Sequence, residues 1–272
     1  MINRKVYKSK ICRFGMTFRN FEARLHGLPE GNLAKYLDVF SGLKEPTRTV
    51  LGYTMDIATI LDNSQLNRDY VVFGGYAVLS HLMSELGEEA AKLWRGSSDI
   101  DMAGTQKVRA LMRNFYKVKS DMPSPNLADK RTLLLIENGE NECKVDFYEG
   151  DIKEKFPDPE INTHFGVPLR VASPLNLIKG KLYTPQEQQL HAIDILKMLS
   201  VLERRGCQPA DIVRYFLPDE KPELAKRVNA ARIIADAQRL DFTPSGDFTE
   251  TLETLLRKSR PIRGSRRLDL NL

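Results

Sequence analysis

Asp99 and Asp101 stand two residues apart in the run Arg95-Gly96-Ser97-Ser98-Asp99-Ile100-Asp101-Met102, and a third carboxylate, Asp146, stands in Glu142-Cys143-Lys144-Val145-Asp146-Phe147-Tyr148. Both runs alternate polar and apolar residues, the period of a strand with one face buried. Asp99 and Asp101 then share a face, with Ile100 and Met102 behind them. In the second run Lys144, Asp146 and Tyr148 face one way, and Cys143, Val145 and Phe147 the other. Two bare carboxylates roughly 4 Å apart repel by about 4 kcal/mol at an effective dielectric near 20, so a cation is expected between them. Hard oxygen ligands suit Mg²⁺ or Mn²⁺. If Asp146 joins Asp99 and Asp101, three acids around an open site can hold two divalent ions. That arrangement clamps both oxygens of an in-line phosphoryl displacement.

The elements that must position these acids are legible around them. Val71-Val72-Phe73 reads as an apolar strand that runs into Gly74-Gly75, and a helix is expected from near Tyr76. The glycine pair serves either as an ordinary strand-to-helix turn or as a turn that brings phosphates to the free N–H groups of the helix start. Thr132-Leu133-Leu134-Leu135-Ile136 and residues 142–148 flank Asn138-Gly139-Glu140-Asn141, the pattern of a β-hairpin. Arg95 can fork onto a triphosphate or stand as a surface arginine. Ser97 and Ser98 can donate to a phosphate or cap the turn.

On Gly74-Gly75, Asp99-x-Asp101 and Asp146, the sequence resembles the nucleotidyltransferase superfamily, the group that includes DNA polymerase β. Within it, the chain looks most like the bacterial toxin-type enzymes of the abortive-infection AbiEii kind, with some similarity to the aminoglycoside nucleotidyltransferases. The resemblance covers residues 70–194. It implies an α+β fold, a nucleotidyltransferase-type mixed sheet flanked by helices and followed by a helical C-terminal domain. It also implies an NTP co-substrate lying against Gly74 and Gly75, and two Mg²⁺ or Mn²⁺ ions on Asp99, Asp101 and Asp146. The ions activate an acceptor hydroxyl and stabilise the pyrophosphate leaving group. A tRNA or protein acceptor and an antitoxin partner follow from the toxin-type likeness, a small aminoglycoside-like acceptor from the other. A non-catalytic nucleic-acid-binding protein on the same core is the rival of another class.

Composition sets the remaining bounds. The 272 residues carry 41 Lys and Arg against 36 Asp and Glu, a net charge of +5. The excess lies at the ends. Arg4, Lys5, Lys8, Lys10, Arg13 and Arg19 occupy residues 1–21, and Arg257, Lys258, Arg260, Arg263, Arg266 and Arg267 occupy 257–267, both without an acid. These ends are either solvated tails or contacts for nucleic-acid phosphates. No run of about 18 apolar residues predicts a membrane span, and no secretory signal is visible, so a cytoplasmic protein without a membrane partner is expected. Cys12, Cys143 and Cys207 are too scattered for a zinc site or a disulfide framework. His26, His81 and His164 have no metal-site spacing either.

Four segments are expected: a basic, helical extension over 1–47, the catalytic core over 48–170, a helical domain over 171–258 and a basic tail over 259–272. Helices are predicted over Asn32–Ser41 and Thr47–Leu61. Another follows Thr105, with Val108, Leu111, Met112 and Phe115 as its apolar face. Thr184-Pro185-Gln186-Glu187 is a capping box opening a helix that runs to Arg204-Arg205 and stops at Gly206. Further helices are expected over Pro209–Leu217, Pro222–Gln238 and Thr249–Lys258. The toxin-type resemblance places a nucleotide-contacting lysine at Lys181, or at Lys179, and an aspartate at Asp194. The family's earlier aspartate and its preceding basic residue are replaced here by His191 and Leu190.

Overall fold

The computed structural model describes residues 39, 43–44, 46–94, 96–125, 130–137, 141–182 and 188–259. Nearly all of the expected Asn32–Ser41 helix, the acid-free N-terminal segment, Arg95, the turn residues 138–140, the capping box at 184–187 and the basic tail from residue 260 lie outside them. The chain divides into two compact units, Met1–Ser173 and Pro174–Leu272. Among the described residues no helix is long and apolar enough to cross a membrane.

The first unit is built on a seven-stranded mixed sheet, an α+β architecture. Its strands are β1 (Tyr70–Phe73), β2 (Asp99–Gly104), β3 (Lys117–Pro123), β4 (Lys130–Glu137), β5 (Asn141–Glu149), β6 (Glu160–His164) and β7 (Val167–Val171). They lie in the order β3-β4-β5-β2-β1-β7-β6. β2 pairs parallel with β5 and β1 with β7, and the other neighbours are antiparallel. Helices α1 (Thr47–Asn63), α2 (Gly74–Leu86), α3 (Ala90–Leu93), α4 (Gln106–Phe115) and α5 (Ile152–Lys155) complete this unit.

One face of the sheet supplies the core. Ile100 and Met102 of β2, Leu133 and Leu135 of β4, and Val145 and Phe147 of β5 are all fully buried there. Helix α1 packs against β2, β5 and β7 and is buried along almost its whole length. Its polar residues are satisfied inside the core, as buried polar groups must be. Thr54 and Thr59 donate back to the carbonyls of Val50 and Met55, and Asp56 accepts from Tyr116 Oη at 2.5 Å.

That last bond corrects one expectation about α4. Val108 and Met112 are buried as predicted, but Phe115 is exposed. The helix ends at Phe115, and the chain turns so that Tyr116 enters the core to reach Asp56. Thr105 holds the N-cap position, yet its hydroxyl makes no capping bond.

A buried polar cluster ties α2 to β6 and β7. Ser80 Oγ lies 2.8 Å from His164 Nε2 and accepts from Asn162 Nδ2 at 2.9 Å, while His81 Nε2 bonds the Ala172 carbonyl at 2.8 Å. Burial, with the nearby His81, pushes the His164 pKa from 6.5 down to about 4. The unfolded chain therefore takes up a proton near pH 6.5 that the folded chain refuses until about pH 4. Stability contributed by neutral His164 is full above pH 6.5 and falls by up to about 3 kcal/mol as pH drops through this window. Urea unfolding at pH 7 and pH 4.5 checks this. A His164→Asn variant should lose markedly less stability between the two than the native protein, and an equal loss would exclude His164 as the source.

The second unit is helical: α6 (Pro174–Leu182), α7 (Gln188–Arg204), α8 (Pro209–Tyr215), α9 (Lys221–Gln238) and α10 (Gly246–Lys258). Ala192 and Leu196 of α7 meet Ala231 and Ala235 of α9 in a buried cluster, where small side chains allow close approach. Gly206, past the end of α7, has a φ of +79°, the left-handed conformation of a helix stop. Helix α10 begins three residues before its predicted start. Ser245 is its cap, with a hydroxyl that accepts from Phe248 N at 3.2 Å and donates to Glu203 Oε1 at 2.5 Å.

Candidate active site

Sheet register gathers the acids. In the parallel β2–β5 pair, Asp101 lies beside Asp146 and Asp99 beside Lys144. Thr132 of β4 lies beside Asp146 from the other side, and Phe73 of β1 faces Asp101. Residues in register share a face, so Asp99, Asp101, Lys144, Asp146 and Thr132 all stand on the side of the sheet opposite Ile100, Met102, Val145 and Leu133.

Asp99 and Asp146 are braced. Ser97 Oγ donates to Asp99 Oδ1 at 3.1 Å, and Lys144 Nζ donates to Asp99 Oδ2 at 3.1 Å. Thr132 Oγ1 donates to Asp146 Oδ1 at 2.9 Å. Asp146 Oδ2 takes Lys130 Nζ at 2.7 Å and Lys144 Nζ at 3.3 Å. Burial acts to raise the Asp146 carboxyl, but the hydrogen bonds from Lys130 and Thr132 and the charge of Lys144 outweigh it, so its pKa lies below the usual value. Burial acts to lower both lysines, and their carboxylate partners leave each above its ordinary value. Asp146, Lys130 and Lys144 are therefore all ionised at neutral pH. Lys130 also sits 5.3 Å from the Tyr148 ring centroid, a cation–π contact that holds it in place.

The Gly74-Gly75 turn abuts the same face. Gly74 has a φ of +65°, and a Cβ there would lie 1.9 Å from Asp101 Oδ2. No residue with a side chain fits while Asp101 keeps its place. Gly75 opens the first turn of α2 beside Ser97, whose Cβ would be 3.2 Å from an added methyl. Phe73, which immediately precedes the turn, stacks on Phe156 and meets Tyr148 edge-on.

Of the residues singled out from sequence, the structure gathers Gly74, Gly75, Ser97, Asp99, Asp101 and Asp146 in one place. Ser97 braces Asp99, and its main-chain oxygen in turn accepts from Thr47 Oγ1 at 3.3 Å. Ser98 is exposed at the start of β2, and Arg95 is outside the described residues. Lys181 and Asp194 lie in the second unit, on α6 and α7, where Lys181 Nζ donates to Asp194 Oδ2 at 2.7 Å in a buried ion pair. Lys130, Lys144 and Thr132 were not singled out. Alternation already put Lys144 on the acidic face, whereas Lys130 lies beyond the predicted start of β4 and gave no signal.

The donor set fits a hard divalent ion in chemistry, three carboxylates on one face of adjacent strands. Asp101 Oδ2 fills the space a side chain at residue 74 would take. As the side chains stand, no three His, Cys, Asp or Glu among the described residues are grouped to hold a metal. The ammonium groups of Lys130 and Lys144 lie on the oxygens instead.

The chain is similar in structure to the antibiotic-resistance factor ANT(2″)-Ia, at 14% identity and a TM-score of 0.34 over 79% of this chain and 94% of that one. It is similar to an antigenic nucleotidyltransferase-like protein from Paracoccidioides brasiliensis, at 14% identity and a TM-score of 0.35 over 76% of this chain and 92% of that one. A third likeness is to the Megavirus polyadenylate synthase, at 11% identity and a TM-score of 0.31, over 72% of this chain and 37% of that one. No family model matches the chain, and no curated protein does.

Proposed function

We propose that the chain is a metal-dependent nucleotidyltransferase that moves an NMP from an NTP to an acceptor hydroxyl on tRNA or protein, as the toxin of a toxin–antitoxin or abortive-infection pair. The observation that carries the reading is the convergence of Asp99, Asp101 and Asp146 on one sheet face against the Gly74 turn. Two Mg²⁺ or Mn²⁺ ions on these carboxylates would neutralise the triphosphate and activate the acceptor hydroxyl. The protein's share is positioning and fixed charge. Ser97 and Thr132 fix the rotamers of Asp99 and Asp146, and the missing side chain at Gly74 lets the turn approach Asp101. Asp146, held below the usual carboxylate pKa, is a weak base and serves as a charge holder. A nucleotide contact for Lys181 and Asp194 is proposed on the resemblance alone.

The test is incubation of the full chain with each α-³²P-labelled NTP, Mg²⁺, and either total cellular RNA, total protein or an aminoglycoside panel. Label in RNA or protein that is abolished by EDTA supports the reading. Label in the small molecules alone moves the acceptor, and none in any arm overturns the reading. Asp146→Asn should lower kcat by about 100-fold with little change in KM, because charge holding of this kind acts mainly in the transition state. A raised KM with unchanged kcat would assign Asp146 to NTP binding instead.

A further inference from the structure

Lys144 is set apart from the other cations of the first unit by where the register puts it. It is the cross-strand neighbour of Asp99 and stands two residues before Asp146 on one face, so its side chain rises between two of the three carboxylates. Its ammonium bridges them, 3.1 Å from Asp99 Oδ2 and 3.3 Å from Asp146 Oδ2. Each of these carboxylates gives its Oδ1 to a hydroxyl, from Ser97 or Thr132, and its Oδ2 to lysine. The bridged Oδ2 atoms are thus the oxygens that no neighbouring hydroxyl holds.

Lys130 and Lys144 differ in how they are held. Lys130 is the closer to Asp146, at 2.7 Å, lies against the Tyr148 ring and has a side chain only 22% exposed. The Lys144 side chain is 44% exposed, twice as much, and its contacts are longer. Lys130 is a fixed partner of Asp146, whereas Lys144 is the more readily displaced of the two. With both in place the three carboxylates keep a formal charge of −1, a weak attraction for a free divalent ion.

We infer that Lys144 is the resident cation of this face in the nucleotide-free protein, and that a divalent ion arriving with an NTP displaces its ammonium from Asp99 and Asp146 onto the nucleotide's phosphates. The inference rests on the nucleotidyltransferase reading of the site. An ion alone must evict Lys144 into water. An ion with a triphosphate offers the evicted ammonium charged phosphate oxygens in place of the carboxylates. Ion and nucleotide therefore raise each other's affinity, and Lys144 adds to the coupling that direct ion–phosphate contact already supplies.

The test uses the full chain, Mn²⁺ as the probe ion and the four α,β-methylene NTPs, with bound Mn²⁺ read by electron paramagnetic resonance. In the native protein, one nucleotide should raise Mn²⁺ affinity about tenfold or more. In Lys144→Met, nucleotide-free Mn²⁺ affinity should rise about tenfold, and the gain from nucleotide should shrink by a similar factor relative to the native protein. Lys144→Arg, which keeps the charge, should retain the native coupling, and circular dichroism establishes that each variant is folded. Should Lys144→Met not fold, Lys144→Gln serves in its place. A folded charge-free variant with native Mn²⁺ affinity and native coupling overturns the role of Lys144 and leaves the enzyme reading intact. A native protein that neither couples Mn²⁺ to any NTP nor transfers label overturns both.

Discussion

Asp101→Asn is expected to reduce NMP transfer by about 1,000-fold at saturating Mg²⁺, and Asp99→Asn by a similar factor, the size of loss seen when one preorganised charge-stabilising group is removed from an active site. Both residues lie on β2 with Ile100 and Met102 buried behind them, so their carboxylates are presented from a strand that the core holds rigid. Asparagine keeps the shape and removes the charge. The fold should survive, because three like charges on one face repel, and each neutralisation relieves part of that repulsion. For Asp101→Asn the melting temperature without metal should therefore be at or above the native value, whereas Asp99→Asn also loses its Lys144 ion pair and should stay close to it. Single-turnover rates with labelled NTP measure the loss. If both variants retained more than about a tenth of the native rate, carboxylate-held metal ions could not be central to the reaction.

What made this site legible was strict alternation. A period of two around Asp99, Asp101 and Asp146, with apolar residues between, decides which way a side chain faces before any pairing is known. The hairpin followed from the same signal: β4 and β5 pair antiparallel down to Glu137 and Asn141, as the intervening turn residues predicted. The parallel pairing of β2 with β5, which sets Asp101 beside Asp146, was not readable. Those strands are some 40 residues apart, and no local pattern records a crossover register.

Strands β3, β6 and β7 were missed for different reasons. β3 is an edge strand with a register shift between Val118 and Ser120, so its alternation breaks. β6 and β7 are five residues each and join through Phe165-Gly166, both at positive φ. Their alternation was present in Ile161, Asn162, Thr163 and His164, but with polar side chains turned inward. Asn162 and His164 are buried there because Ser80 satisfies them across the interface with α2. Hydrophobic patterning cannot register a face whose buried positions are polar. Lys130 was hidden similarly, since its role depends on β4 extending two residues before Thr132.

Gly74→Ala is the single-methyl change with the largest expected effect on both stability and activity. The backbone at residue 74 has a φ of +65°, where a side chain costs about 1–2 kcal/mol. The added Cβ would also sit 1.9 Å from Asp101 Oδ2, far inside contact distance. The backbone here cannot yield readily, because β1 is buried and paired on both sides by β2 and β7. Asp101 must therefore turn out of its place on the acidic face. The variant should lose about 2–4 kcal/mol in all and at least about 100-fold in NMP transfer, as a misplaced catalytic group does. Gly75→Ala is the contrast, because its Cβ would meet only the Ser97 side chain at 3.2 Å and the Trp94 ring edge at 3.7 Å, and its φ lies outside the left-handed range. Its loss of stability should be smaller. A double-mutant cycle separates strain from clash. In an Asp101→Gly background the whole side chain is gone, Cβ included, so Gly74→Ala should cost only the backbone term, about 1–2 kcal/mol. Urea unfolding of the four proteins measures the coupling. Full additivity would mean that the turn does not press on Asp101, and that Gly74 is glycine for its backbone alone.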